Sequence, residues 1–136
     1  GLSFVRDYDI SAPAVRGDRA RLTQVFLNIV RNAAEAMGRE RAQGKAAIVL
    51  RTRIVRDVMA GTERARMALA VDVVDNGPGV PADMQEKIFY PLVTGRAEGS
   101  GLGLSLAQTF VRQAGGTITL ESVPGRTTFR VLLPFT

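Results

Sequence analysis

The sequence contains no cysteine and no histidine. Without cysteine it can form neither a disulfide nor a thiolate nucleophile, and without histidine it lacks the usual imidazole base and zinc ligand. No apolar run approaches the roughly 20 residues that span a bilayer, and nothing resembles a signal peptide. These absences exclude thiol, histidine-triad and zinc chemistry within the chain. We expect a soluble, cytoplasmic domain that makes no direct membrane contact.

The length and composition are those of an ordinary globular domain. The 136 residues are 46% hydrophobic and 23% charged, and the formal net charge is +5. Lys45 and Lys87 are the only lysines, so the other basic residues are arginines. Because the arginines are scattered without interleaved aromatic residues, we expect a solvated basic surface and no nucleic-acid partner. We expect residues 1–136 to form a single domain of a longer protein.

The spacing of apolar residues predicts a chain of mixed helices and strands. Five runs rich in β-branched and apolar residues are predicted strands: 2–8, 46–55, 67–74, 117–122 and 127–133. Three segments with helical spacing are predicted helices: 19–37, 82–88 and 104–113. Asp18 is a predicted N-cap, Gly38 is the predicted end of the first helix, and a turn around Gly61 predicts a hairpin. The expected fold is α+β, a two-layer α/β sandwich with a mostly antiparallel sheet and helices on one face.

Asn28, Asn32 and Glu35 form a polar stripe on the first long helix. Spacings of four and three residues place them on one side, next to the apolar face centred on Leu22 and Ile29. Polar residues commonly border an apolar face, but asparagine is a mediocre helix former and two in mid-helix are unexpected. The stripe is therefore either an ordinary solvent border or one wall of a cleft.

Two glycine-containing segments follow the third strand. Residues 75–79, Asp-Asn-Gly-Pro-Gly, combine a carboxylate with glycines that a ligand can approach closely, although the same residue types make ordinary turns. Residues 99–104, Gly-Ser-Gly-Leu-Gly-Leu, open the last helix, where backbone N–H groups can hold phosphate. They match neither the P-loop nor the dinucleotide fingerprint, because no Gly-Lys-Ser/Thr and no βαβ unit is present. A different kind of nucleotide site is indicated.

In this order the segments resemble the ATP-binding catalytic domain of sensor histidine kinases, in the superfamily of DNA gyrase, Hsp90 and MutL. The resemblance covers essentially the whole chain, with an N box at 22–36, a G1 box at 75–79, an F box at 87–92 and a G2 box at 99–104. Residues 89–96 and 122–129 are most similar to the nitrogen-regulation branch of these kinases. Arg126 departs from the pattern, because most members have glycine there.

The resemblance implies the Bergerat ATP-binding fold. At the adenine end, Asp75 would accept the amino hydrogen of the base, with Thr127 or Thr128 assisting through a hydroxyl or a water. Ile88 would lie against the ring. The resemblance places these further residues at the nucleotide: Gly77, Gly79, Thr94, Gly99, Ser100, Gly101, Leu102, Gly103 and Leu104.

At the phosphate end the resemblance implies three candidate catalytic residues. Asn32 would bind Mg²⁺ through its amide oxygen, the kind of hard ligand that this ion takes. Asn28 would lie one turn earlier, toward the phosphates, and Arg96 would hold the γ-phosphate. We expect residues 81–100 to form a lid that nucleotide orders.

The implied activity is that of a protein-histidine kinase whose phosphoacceptor histidine lies on the dimerisation domain of the same kinase. Gyrase-like relatives have a glutamate base at the position of Asn28, and a neutral amide cannot replace it, so slow ATP hydrolysis is expected. The implied partners are that dimerisation domain, an NtrC-like response regulator and a PII-type signalling protein. The alternative is a gyrase- or MutL-like module in which ATP drives a conformational clamp.

Overall fold

The computed structural model describes residues 2–15, 17–90 and 103–135. The strands in these ranges are β1 (Leu2–Asp7), β2 (Ala46–Ala60), β3 (Glu63–Asp75), β4 (Thr117–Val123) and β5 (Arg126–Pro134). The helices are α1 (Arg19–Ala36), α2 (Gly38–Ala42), α3 (Ala82–Gln85) and α4 (Gly103–Gln113). None of these helices combines the length and the apolar character needed to cross a membrane.

The five strands form one mixed sheet in the order β1-β2-β3-β5-β4. β1 runs parallel to β2, and the other neighbouring pairs are antiparallel. The prediction of a mostly antiparallel sheet is therefore confirmed, with β1 as the parallel exception. Because β3 and β5 lie at the centre, the end of β3 and the start of β5 meet deep in the domain, where Asp75 is opposite Thr127.

Helices α1 and α4 pack side by side on one face of this sheet, as predicted. α1 begins at Asp18, whose carboxylate accepts the Arg21 backbone N–H at 3.1 Å and so caps the helix. The two helices and the sheet bury one apolar cluster, to which α1 contributes Val25, Ile29 and Ala33, α4 contributes Leu104, Ala107 and Val111, and the sheet contributes Ile48, Val73, Phe129 and Val131. Burying such side chains stabilises the domain by about 1.5–3 kcal/mol for each large one.

The opposite face of the sheet carries ion pairs. Arg130 binds Asp72 through two hydrogen bonds of 2.7 and 2.8 Å. Asp7 accepts hydrogen bonds from Arg53 at 2.7 Å and Arg51 at 3.2 Å, and these two arginines lower the pKa of Asp7, Arg53 most strongly. Part of the scattered positive charge is thus paired with carboxylates on this second face, of which Asp7 is partly exposed and Asp72 is buried.

Three elements differ from the sequence predictions. The β2–β3 hairpin is longer than predicted, because its outer part alternates arginine with apolar residues and so lacks a purely β-branched pattern. Gly61, with φ of 63°, supplies the positive φ that its two-residue turn requires. Gly38 does not end the helical region but begins α2, and α3 ends at Gln85, three residues before its predicted end.

Candidate functional site

Asn28 joins α1 to the beginning of α4. Its side-chain NH₂ donates to the Gly103 carbonyl at 2.9 Å, and its side-chain oxygen accepts from Gln24 at 2.6 Å. An amide supplies both a donor and an acceptor, whereas an ionised carboxylate could only accept and would face the Gly103 carbonyl without a hydrogen. The structure therefore brings the N box against the last glycine of the G2 box, and it uses the amide of Asn28 to do so.

Asn32 lies one helical turn after Asn28 on the same polar stripe. It is half-buried, and its amide has no hydrogen-bond partner among the residues that the structure describes. Within the same ranges no group of three acidic side chains is close enough to hold a metal ion. The amide oxygen of Asn32 is a hard ligand, and no described residue donates a hydrogen bond to it. These properties are compatible with the Mg²⁺-binding role that the family resemblance implies.

Asp75 is a buried carboxylate at the end of β3. It is 4% exposed, and its Oδ1 accepts the backbone N–H of Gly77 at 2.9 Å. Burial raises the pKa of Asp75 above its ordinary value near 3.8. The hydrogen bond from Gly77 lowers this pKa in part, and the negative charge of Glu40 adds a smaller increase. No described residue donates to its second oxygen. A buried acceptor without a donor is costly, so this oxygen is suited to an N–H group of a ligand.

The two threonines that follow Arg126 lie on opposite faces of the sheet. Thr127 is buried, is paired with Asp75, and has its hydroxyl 2.7 Å from that of Ser122. Thr128 comes next along the strand and is opposite Val74, so its side chain points to the face away from the helices. Of the two threonines offered by the resemblance, the structure brings only Thr127 beside Asp75.

The G1 turn after Asp75 is held by the β4–β5 hairpin. The Gly77 carbonyl accepts the Gly125 N–H at 3.0 Å, and the Val80 N–H donates to Ser122 Oγ at 2.8 Å. Gly79 has φ of 91°, and a Cβ there would lie 2.9 Å from the Val123 carbonyl oxygen. Glycine at position 79 is therefore required by both backbone conformation and close approach.

Three residues of the site were not singled out from the sequence. Ser122 links the G1 turn to Thr127, as described above. The Asn76 side chain bridges to the start of β2, accepting from Ala47 N–H and donating to the Lys45 carbonyl, both at 2.8 Å. Met37 is fully buried, and its Cγ would lie 2.9 Å from a Cβ at position 77. In the sequence these three look like a strand residue, a turn residue and an apolar helix residue, so no local signal marks them.

The remaining expected residues divide into two groups. Ile88 is partly buried against the core, next to Phe89, whose ring makes an edge-to-face contact with Phe129 at 6.1 Å. Leu104 is buried in the core, so its side chain packs the start of α4 against the rest of the domain. Six expected residues lie outside the described ranges: Thr94, Arg96, Gly99, Ser100, Gly101 and Leu102. The part of the expected lid at 91–100 also lies outside them.

α1 connects the two ends of the site. Its carboxyl-terminal end reaches Met37 under Gly77, and Asn28 lies against Gly103. Nine residues of helix separate these two positions, roughly 13 Å at 1.5 Å per residue, with Asn32 between them. A ligand that binds at both ends of the candidate site has to extend along this stretch of the chain.

A family model described as histidine kinase-, DNA gyrase B-, and HSP90-like ATPase matches residues 17–136. The chain belongs to this ATPase family. Within it, the chain is similar to the sensory histidine kinase/phosphatase NtrB of Escherichia coli O157:H7, with 47% identity over 133 residues, 98% of this chain and 37% of that protein. NtrB of Rhodobacter capsulatus is 46% identical over 139 residues, with the same two coverages. The chain thus spans little more than a third of the length of these curated relatives.

Solved structures agree with this placement. The nucleotide-free catalytic domain of histidine kinase ThkA is 29% identical and superposes with a TM-score of 0.78, covering 98% of this chain and 78% of that one. ThkA in complex with the response regulator protein TrrA gives a TM-score of 0.71 at 29% identity, covering 99% of this chain and 34% of that one. The resemblance to sensor histidine kinases and the α+β fold that it implied are both confirmed.

Proposed function

We propose that the chain is the ATP-binding catalytic domain of an NtrB-type sensor histidine kinase. In this role it presents the γ-phosphate of ATP to a histidine on a separate dimerisation domain. The main support for the proposal is the environment of Asp75. This carboxylate is buried, and only one of its two oxygens accepts a hydrogen bond from a described residue, which leaves the other for a donor on the ligand. Adenine offers an amino group, whereas guanine offers a carbonyl at the matching position, so Asp75 selects adenine.

At the adenine end, Gly77 fixes the orientation of Asp75 by donating to Oδ1, which leaves Oδ2 to accept from the base. Thr127 lies across the strand pair and its hydroxyl, already paired with Ser122, is placed to bind the base or a water beside it. Ile88 supplies an apolar surface against one side of the ring. Together they bind and orient the nucleotide, and they take no part in bond making.

At the phosphate end, the amino-terminal end of α4 supplies backbone N–H groups and a partial positive charge. Asn28 holds this end against α1 through Gly103, and Asn32 offers its oxygen to Mg²⁺. When bound, Mg²⁺ would neutralise charge on the phosphates. We include Arg96 and the residues at 99–102 in this end of the site on the basis of the family resemblance.

The chain itself provides no histidine to receive the phosphoryl group. We propose that the chain contributes to phosphoryl transfer by positioning ATP and by neutralising charge on its phosphates, while the dimerisation domain supplies the nucleophile. An NtrC-like response regulator would take the phosphoryl group next, and a PII-type protein would regulate the kinase. A cytoplasmic location follows from this role, because ATP and these partners are cytoplasmic.

A gyrase- or MutL-like clamp ATPase remains the second candidate, since the family includes both types. Asn28 disfavours it, because an amide that donates to the Gly103 carbonyl cannot also remove a proton from water. The two NtrB relatives, at 46% and 47% identity, favour the kinase.

Calorimetry with ATP and GTP tests the proposed site. We expect ATP to bind more tightly than GTP by about 10- to 150-fold, because a carboxylate facing the guanine carbonyl costs roughly 1.5–3 kcal/mol. Asp75→Asn should lose this preference, while Asp57→Asn, an exposed change on β2, should keep it. Equal affinities for ATP and GTP in the wild-type domain would refute the assignment of Asp75.

A further inference from the structure

A groove of about 850 Å³ lies at the end of the sheet away from Asp75. β3 forms one wall with residues 63–66, and residues 115–118, at the start of β4, form the other. Pro134 and Phe135 stand at one end, where β5 stops. At the other end the turn of the β2–β3 hairpin closes the groove, since the Gly61 N–H donates to the Thr117 hydroxyl at 2.6 Å.

The groove continues the line of β5. β5 pairs with β3 up to Pro134 opposite Ala68, and the Phe135 N–H then donates to the Met67 carbonyl at 3.3 Å. Beyond this point, residues 63–66 of β3 have no strand neighbour on that side among the residues described. At about 3.3 Å per residue, the open edge offers room for roughly four residues of extended chain. An open strand edge of this kind accepts an added strand through its backbone groups.

The groove is positively charged. Arg64, Arg66 and Arg112 line it, and Glu63 is the one carboxylate among the lining residues. All three arginines are exposed, and none forms an ion pair with another described residue. Arg112 lies in the last turn of α4, where it also offsets the negative end of that helix. A strand that carries acidic side chains would therefore bind in this groove more favourably than a neutral or basic one.

We propose that this groove is a docking slot for an acidic, extended segment of a partner protein, which adds to the open edge of β3 at residues 63–66. Backbone pairing continues the ladder that β5 begins, and Arg64, Arg66 and Arg112 select the acidic side chains. Nine residues of β3 separate Arg66 in the slot from Asp75, roughly 30 Å of extended strand. Binding there does not require nucleotide.

The test is selection of random eight-residue peptides displayed against the domain without nucleotide. The slot predicts enrichment of peptides in which Asp or Glu alternates with β-branched residues. Adding a selected peptide should slow amide hydrogen exchange at residues 63–66, as an added strand would. Affinity should fall as salt concentration rises, because exposed charge pairs are screened.

Charge-reversed variants provide the controls. Arg64→Glu with Arg66→Glu should weaken the selected peptides by about tenfold or more, and Arg112→Glu, on a different element, should also weaken them. Arg6→Glu with Arg39→Glu makes the same change in net charge on β1 and α2 and should leave affinity unchanged. No enrichment, enrichment of peptides without acidic residues, equal effects of both double variants, or protection at another strand edge would each overturn the proposal.

Discussion

Asp75 is a buried acid whose pKa is raised, mainly by burial. Ionising such a group costs more free energy in the folded chain than in the unfolded one. Its charge therefore destabilises the domain without nucleotide at any pH above its raised folded pKa. This penalty disappears as the pH falls below the ordinary value near 3.8. A ligand N–H group relieves the same cost, which links binding and stability at this residue.

Asp75→Asn should therefore stabilise the domain in the absence of nucleotide. Asparagine can still accept the Gly77 N–H through its oxygen, but it carries no charge to bury. Thermal unfolding at pH 7 should show a higher melting temperature for the variant than for the wild type. The difference should shrink as the pH is lowered through the raised pKa of the folded carboxyl, and it should vanish below the ordinary value near 3.8. A variant less stable than the wild type at pH 7 would contradict the burial argument.

Asp57 is the non-glycine residue with positive φ, 52°, in the described part of the chain, and it interrupts the β2–β3 ladder opposite Arg66. Aspartate tolerates this left-handed conformation, whereas a β-branched residue does not. Asp57→Val should lower the free energy of unfolding by about 1–2 kcal/mol, and Asp57→Gly should lower it little or not at all. Urea denaturation measures both, and equal losses would show that the backbone conformation is not the cause.

Among the elements, α1 and α4 are joined across the site by the Asn28–Gly103 hydrogen bond. Asn32 lies on the same stripe, but its side chain makes no hydrogen bond to another described residue. We therefore propose different roles for the two asparagines: Asn28 positions the start of α4, and Asn32 binds a ligand. Substituting each asparagine in turn should therefore distinguish an effect on the stability of the domain from an effect on nucleotide binding.

Asn28→Ala should reduce the free energy of unfolding by about 1–3 kcal/mol without nucleotide, because the partly buried Gly103 carbonyl loses its donor. Asn32→Ala should leave this free energy almost unchanged and should remove the dependence of ATP affinity on Mg²⁺. Denaturation curves and calorimetry with and without Mg²⁺ give both quantities. If Asn32→Ala were as destabilising as Asn28→Ala, the division of roles would be wrong.

The sequence predicts the elements better than it predicts their ends and contacts. The spacing of apolar residues predicted the positions of α1, α4 and the strands along the chain, because each of these elements has one buried face. It did not predict α2, since Gly38 is a common helix terminator that here starts another short helix. The choice between Thr127 and Thr128 depends on strand register, and the link from Ser122 to the G1 turn joins distant segments, so neither could be derived from local pattern.

In the molecule as a whole, the proposed nucleotide site lies at the Asp75 end of β3 and β5, which are interior strands of the sheet. The helices cover the apolar face, the ion pairs of Asp7 and Asp72 lie on the other face, and the groove lies at the far end of β3. The histidine that would receive the phosphoryl group has to come from outside this chain. The role proposed for the chain is therefore that of the ATP-binding part of a kinase, with the phosphoacceptor histidine supplied from elsewhere.

The most direct measurement is label transfer from ATP radiolabelled at the γ-phosphate, using this domain with and without the histidine-bearing dimerisation domain of an NtrB relative. We expect no stable label and little phosphate release from the domain alone. When the second domain is added in trans, label should appear on its histidine, and Asp75→Asn should strongly reduce the transfer. Rapid hydrolysis by the domain alone, with no transfer to the added histidine, would instead identify a clamp-type ATPase and contradict the proposed kinase role.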